Sequence, residues 1–160
     1  VVYTSVFRKV VHRFKYRGQM RLAGPLGKIL LATYLRFWNS GDIDLILPVP
    51  LHPKRFRQRG FNQAYRLVVN WKQFEKGLAA TPGLLVKTRV TAPQSGLQKA
   101  QRRRNVRNAF RVQRPEAVRS RRVLLVDDVY TTGATADECA RVLLRYGAAR
   151  VEVLTLARVS

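Results

Sequence analysis

The sequence predicts an α/β domain with a mainly parallel sheet flanked by helices. Two observations carry this. Short apolar runs at 43–47, 84–88, 123–126 and 151–157 alternate with segments of helical period at 61–74 and 134–146. The clearest run, Val123-Leu-Leu-Val126, is continuously apolar, the pattern of a strand buried on both faces. Strand–helix alternation implies parallel neighbours joined by right-handed crossovers. A length of 160 residues gives one domain as the expectation, spanning 1–160. Residues 1–40 form its helical part and 41–160 its α/β core.

Each element follows from local pattern. Val6, Phe7, Val10, Val11 and Phe14 repeat at three- and four-residue steps, predicting a basic amphipathic helix over 3–16 that Gly18 ends. A second helix is expected over 22–38, burying Leu22, Leu26, Ile29, Leu30, Thr33, Tyr34 and Phe37. After the strand at 43–47, Pro48, Pro50 and Pro53 argue against a helix, so 54–59 reads as a basic loop. The helix at 61–74 turns Ala64, Leu67, Val68 and Trp71 inward. Residues 90–122 are rich in arginine and poor in apolar side chains, so a long irregular loop is expected there. The helix at 134–146 buries Cys139, Val142, Leu143 and Tyr146, and Gly147 closes it.

Charge is the exceptional bulk property. There are 31 Lys and Arg against 9 Asp and Glu, a net +22. Such a balance attracts polyanions, and compositional bias is the bland alternative for part of it. Arginine dominates lysine, which suits bidentate phosphate contacts. Seven Phe, six Tyr and two Trp argue against a disordered chain. No apolar run approaches the ~20 residues of a bilayer span. No secretory signal is legible, so a cytoplasmic location is expected. The sole cysteine, Cys139, excludes an internal disulfide and a multi-cysteine zinc site, and no structural metal is expected. Its place on an inner helix face reads as packing.

The chemistry concentrates at Asp127-Asp-Val-Tyr-Thr-Thr-Gly-Ala-Thr135. Ligands of open α/β sheets sit beyond the carboxyl ends of strands. A turn entering a helix presents unpaired N–H groups and the positive end of the dipole, which together bind anions. Gly133 allows close backbone approach, and Thr131, Thr132 and Thr135 supply hydroxyl donors. Asp127 and Asp128 repel a phosphate. They suit sugar hydroxyls, or a Mg²⁺ that also contacts the ligand. The bland alternative is an acidic strand end with threonines as ordinary caps.

This string closely resembles the 5-phosphoribosyl 1-pyrophosphate motif of type I phosphoribosyltransferases. The resemblance implies that Asp127 and Asp128 face the ribose 2′- and 3′-hydroxyls. It implies that Val129, Tyr130, Thr131, Thr132, Gly133, Ala134 and Thr135 wrap the 5′-phosphate. The Gly-x-x-x-x-Gly-Lys-Ser/Thr loop of nucleoside triphosphatases is absent. A second segment, Leu47-Pro-Val-Pro-Leu-His-Pro-Lys-Arg-Phe-Arg-Gln-Arg-Gly-Phe-Asn-Gln-Ala64, gathers Lys54, Arg55, Arg57 and Arg59, a set suited to a second polyanion. A third, from Thr91 to Phe110, combines Gln94 with Arg102-x-x-Asn-Val106 and Ala109-Phe110.

Together these segments resemble the ComF (competence protein F) family over nearly the whole chain. The resemblance implies a type I phosphoribosyltransferase fold preceded by N-terminal helices. It implies a role in DNA uptake during natural transformation. It places the pyrophosphate loop at Pro50, Leu51, Lys54, Arg55 and Arg59. It puts 91–104 where such folds carry a mobile loop over the site, with Lys99, Arg102, Arg103 and Arg104 as lid or DNA candidates. Full-length members commonly carry an N-terminal cysteine-rich zinc module. No Cys-x-x-Cys occurs here, so zinc binding is not carried over.

Expected partners are therefore 5-phosphoribosyl 1-pyrophosphate with Mg²⁺, single-stranded DNA, and proteins of the DNA-uptake machinery. Phe7, Phe14, Tyr16, Phe56, Phe61 and Phe110 lie among basic residues, where both base stacking and core packing are open to them. Two further readings stand: an active transferase of nucleotide or nucleobase metabolism with an unknown acceptor, and a ligand-sensing regulator. His52, inside the proline segment, is open to a loop role or to acid–base chemistry.

Overall fold

The computed structural model describes residues 9–10, 13–14, 20–39, 41–74, 79–92 and 98–159. Its elements are α1 (Ala23–Phe37), β1 (Leu45–Pro48), α2 (Pro53–Arg59), α3 (Gln63–Val68), β2 (Leu85–Lys87), α4 (Lys99–Val106), β3 (Phe110–Val112), β4 (Arg122–Tyr130), α5 (Ala134–Arg145) and β5 (Arg150–Arg158). Strands β1, β4 and β5 form a parallel sheet in that order, with β4 central. Ala80 adds a parallel bridge on the outer side of β1, opposite Ile46. β2 and β3 form a separate antiparallel pair.

The apolar runs divide by strand alternation. Ile46, Leu124, Val126, Leu154 and Leu156 face α1 and α3, in a cluster closed by Leu30, Tyr34, Leu67 and Trp71. Leu47, Val123 and Leu125 face the other way, toward Cys139, Val142 and Leu143 of α5 and toward the β2–β3 pair. Both faces of the sheet are covered, which is why its strands read as continuous apolar runs. Each fully buried leucine contributes ~1.5–3 kcal/mol relative to exposure.

The second expected helix matches α1 closely in extent, but its buried face is rotated. Leu26, Gly27, Leu30, Leu31 and Tyr34 are buried, whereas Ile29 and Phe37 are 44% and 67% exposed. Gly27 explains the rotation. A Cβ there would stand 2.5 Å from the Leu67 carbonyl oxygen, so its absence lets α1 press against α3. Trp71 Nε1 donates to the Gly27 carbonyl at 3.3 Å across the same seam. Of the first expected helix, 9–10 and 13–14 are helical, and Phe14 packs in the core 5.9 Å from Phe61. The remainder of that helix, with Gly18, lies outside the described residues.

Four expectations need correction. Residues 54–59 are not a loop but part of α2. Pro53 sits in the first turn, where its missing N–H costs nothing, and His52 Nδ1 accepts from Lys54 N at 3.1 Å as the cap. The helix expected over 61–74 is confined to α3 and followed by a 3-10 turn at Trp71–Gln73, although all four inward side chains are buried. Strand β4 continues past Val126 through both acids to Tyr130, because β5 runs beside it and pairs Val129 with Ala157 and Tyr130 with Arg158. The described part of 90–122 is largely ordered. It holds α4, β3 and a 3-10 turn at Pro115–Ala117, pinned by the buried Val106, Ala109, Phe110, Val112 and Val118.

The remaining elements end as expected. Gly147 takes φ +90°, and Ala148 N donates to the Leu143 carbonyl at 3.1 Å, closing α5 in a Schellman motif. Asp44 fastens the amino end of β4. It accepts from Arg122 Nε and a second guanidinium nitrogen, both at 3.0 Å, and from the Arg122 backbone N–H at 2.7 Å. These hydrogen bonds hold its carboxyl at about 2.

Candidate functional site

The two motif segments leave the sheet side by side. Pro48 pairs with Val126, and Val49 N donates to the Val126 carbonyl at 2.9 Å. The chain after β1 and the chain after β4 therefore emerge at one carboxyl edge, from adjacent strands. That is where an open α/β sheet places its ligand.

On the β4 side, Asp127 and Asp128 lie within the strand, and Asp128 is buried. Asp127 Oδ1 accepts from the Asp128 backbone N–H at 2.8 Å, which fixes the turn of the first carboxylate. Thr131, Thr132 and Gly133 form the bend, and Ala134 opens α5 with Thr135 in its first turn. Gly133 occupies the N-cap with φ +77°, so no side chain closes the first turn. A Cβ at Gly133 would collide with the Tyr130 ring, which lies directly against it. Arg158 covers that ring at 5.6 Å. Among the described residues, nothing hydrogen-bonds the buried Thr132 Oγ1. An orphaned hydroxyl beside an uncapped helix start fits a phosphate, which would supply the missing acceptor. The two carboxylates supply hard oxygens, the donor type Mg²⁺ takes alongside ligand phosphates.

On the β1 side, Pro50 and Leu51 span the gap to α2, which carries Lys54, Arg55 and Arg59. Gly60 ends α2 in the left-handed region at φ +77°. Asn62 then does two jobs. Its Nδ2 donates to the Val49 carbonyl at 3.0 Å, and its Oδ1 caps α3 by accepting from Tyr65 N at 3.2 Å. Asn62 thereby holds the proline segment against the sheet. Its signal was readable as an N-cap type directly before a helix.

The lid and DNA candidates Lys99, Arg102, Arg103 and Arg104 all stand on α4 rather than on irregular chain. The excursion that carries α4 is closed at its base. Asn105 accepts from Ala92 N at 3.1 Å and donates to the Ala92 carbonyl at 3.0 Å. Arg89 donates to the Asn105 and Arg107 carbonyls at 2.9 and 2.7 Å. Residues 93–97, including Gln94, lie outside the described residues. A groove of about 710 Å³ runs between α4 and α5, lined by Arg103, Arg104, Arg107, Arg141 and Arg145. Its acids are Asp137, 3.7 Å from Arg103, and the buried Glu138. Glu138 accepts from Arg141 at 2.7 Å and from Asn108 N at 2.7 Å, tying α5 to the turn before β3. The Arg141 guanidinium holds the Glu138 carboxyl below the usual carboxylate range.

Of the aromatic residues with two open roles, Phe14, Phe61 and Phe110 are core, while Phe56 is 48% exposed. Phe7 and Tyr16 lie outside the described residues. Burial pushes the Cys139 thiol well up, which keeps it protonated and in a packing role. Among the described residues, no helix is long and apolar enough to cross a membrane. Nor do those residues include a cluster of three or more metal-ligating side chains.

A parallel sheet between helices, with an acid pair leading into a glycine turn at its carboxyl edge, has the architecture of a type I phosphoribosyltransferase. The phosphoribosyl transferase domain family matches residues 73–160. DNA utilization protein YhgH of Escherichia coli O157:H7 is 36% identical, over 98% of this chain and 69% of its own length. Competence protein F of Haemophilus influenzae is 31% identical, over 93% of this chain and 66% of its own. Among solved structures, glutamine phosphoribosylpyrophosphate amidotransferase from B. subtilis superposes with a TM-score of 0.51 at 21% identity, over 82% of this chain and 25% of that one, a likeness of fold. The chain belongs to the phosphoribosyl transferase domain family, in its ComF group.

Proposed function

We propose that this chain binds 5-phosphoribosyl 1-pyrophosphate with Mg²⁺ at the carboxyl edge of the sheet and handles single-stranded DNA in a DNA-uptake role, with proteins of the uptake machinery as partners. The observation that carries the ligand reading is the Gly133 turn. It opens α5 uncapped, next to the orphaned Thr132 hydroxyl and directly after the acid pair. In this reading the turn takes the 5′-phosphate, Asp127 and Asp128 take the ribose hydroxyls, and Pro50, Leu51, Lys54, Arg55 and Arg59 face the pyrophosphate. Bound Mg²⁺ would neutralise pyrophosphate charge between the acid pair and the ligand oxygens. Calorimetry tests it: 5-phosphoribosyl 1-pyrophosphate with Mg²⁺ gives a saturable heat, and a silent titration overturns the ligand reading. Pyrophosphate release over a panel of bases and nucleic acids then separates a transferase from a binding protein.

The arginine groove between α4 and α5 supports the DNA reading. Replacing Arg102, Arg103 and Arg104 by Ala is expected to weaken single-stranded DNA binding. It is also expected to flatten the logarithmic salt dependence by up to about 2, since each lost phosphate contact removes ~0.7 from the slope. An unchanged slope rejects these three as phosphate contacts. The names DNA utilization protein and competence protein borne by the relatives point the same way.

A further inference from the structure

Lys87 interrupts an otherwise apolar strand. It ends β2, on the same face as the buried Leu85, which packs with Leu47, Val49, Ala134 and Cys139. The side chain is half-buried. Its Nζ lies 5.4 Å from the ring centroid of its cross-strand partner Phe110 and donates to Thr91 Oγ1 at 2.7 Å. Among the described residues, no carboxylate pairs with it.

Burial pulls the ammonium below the usual lysine range; Cys139 opposes this, Arg55 and Arg89 add to it, and Asp127 opposes it. Arg55 belongs to α2, beyond β1, and Asp127 to β4. Leu85, on the same face, belongs to one core cluster with Val49, just past β1, and Ala134, the first residue of α5, so the face of β2 that carries Lys87 is the one turned to the carboxyl edge of the sheet. A partly desolvated ammonium with one neutral acceptor is costly alone and is stabilised by an anion. The positive charge of Arg55 acts on the same ammonium, so a multiply charged anion is the best match.

We propose that Lys87 is a ligand contact of the site, its ammonium binding the pyrophosphate group of the bound phosphoribosyl compound. This rests on the ribose-phosphate reading above. It assigns the β2–β3 pair a direct part in binding, beyond carrying the excursion that bears α4. Lysine suits the position because a flexible apolar stem can be half-buried while its ammonium stays free to meet an anion.

Calorimetry with three separate probes tests it: 5-phosphoribosyl 1-pyrophosphate, inorganic pyrophosphate and ribose 5-phosphate, each with Mg²⁺. Lys87→Met is expected to weaken the first two by about tenfold or more and to leave ribose 5-phosphate within about twofold. Lys87→Arg is expected to recover most of the loss. Equal loss on all three probes, or no loss on any, overturns the assignment. Wild-type protein that binds none of the three overturns the ribose-phosphate reading itself, and the Lys87 assignment with it. A measurement on the unaltered chain guards against misfolding of the variants. Pyrophosphate should protect Lys87 from reductive methylation, read by peptide mass, and ribose 5-phosphate should not. Equal protection by both, or by neither, rejects the pyrophosphate contact.

Discussion

Replacing Asp127 and Asp128 together by Asn is expected to lower affinity for 5-phosphoribosyl 1-pyrophosphate by about 100-fold or more. Each charged hydrogen bond to a ligand is worth ~1.5–3 kcal/mol, so two lost together give at least two decades. Asparagine keeps the shape, and its Oδ1 can still accept the Asp128 N–H that Asp127 Oδ1 now holds at 2.8 Å. The fold should therefore persist, and the loss should be chemical. DNA affinity at fixed salt should not fall, because the change removes two negative charges from an already basic protein. Calorimetry for the ligand and a binding isotherm for single-stranded DNA read the two effects apart. A folded variant that loses both equally would contradict two separate sites.

The second large effect falls on Gly133. Gly133→Ala places a Cβ in the left-handed region at φ +77°, which costs an L-residue ~1–2 kcal/mol. The same Cβ runs into the Tyr130 ring, so Tyr130 must leave its place beneath Arg158. Chemical denaturation should show a loss of at least ~1 kcal/mol. Ribose 5-phosphate binding should drop with it, because the turn at the start of α5 is rebuilt. The α4–α5 arginine groove should keep its DNA affinity. Unchanged stability together with unchanged ribose 5-phosphate binding would mean that the turn neither needs this conformation nor holds the phosphate.

The sheet was legible wherever a strand is buried on both faces. Val123 to Val126 announced itself by apolar residues alone, and its successor turn by Gly133 and the threonines. The continuation of β4 to Tyr130 was not legible, because polar Asp127 and Asp128 stay in the strand only through pairing with β5. α2 was hidden by its proline, which reads as a breaker unless it is recognised as a first-turn residue capped by His52. The order in 98–122 was hidden for another reason. Val106, Phe110, Val112 and Val118 are spaced without period and become a core only once α5 and β2 stand beside them. In the candidate site, the acid pair and the glycine turn were readable, since they are contiguous in sequence. Asn62 and Glu138 act across 13 and 30 positions, and of the two only Asn62 left a local signal.

Residues 127–135 are proposed to hold a phosphorylated ribose. The most direct measurement is the amide correlation spectrum of the full chain, titrated with 5-phosphoribosyl 1-pyrophosphate and Mg²⁺. Saturable shifts are expected, largest at the amides of Thr131 to Thr135, where a phosphate would accept N–H bonds, with smaller shifts at Asp127 and Asp128. A titration that leaves those amides in place, or that moves only the arginine-lined groove between α4 and α5, would contradict it.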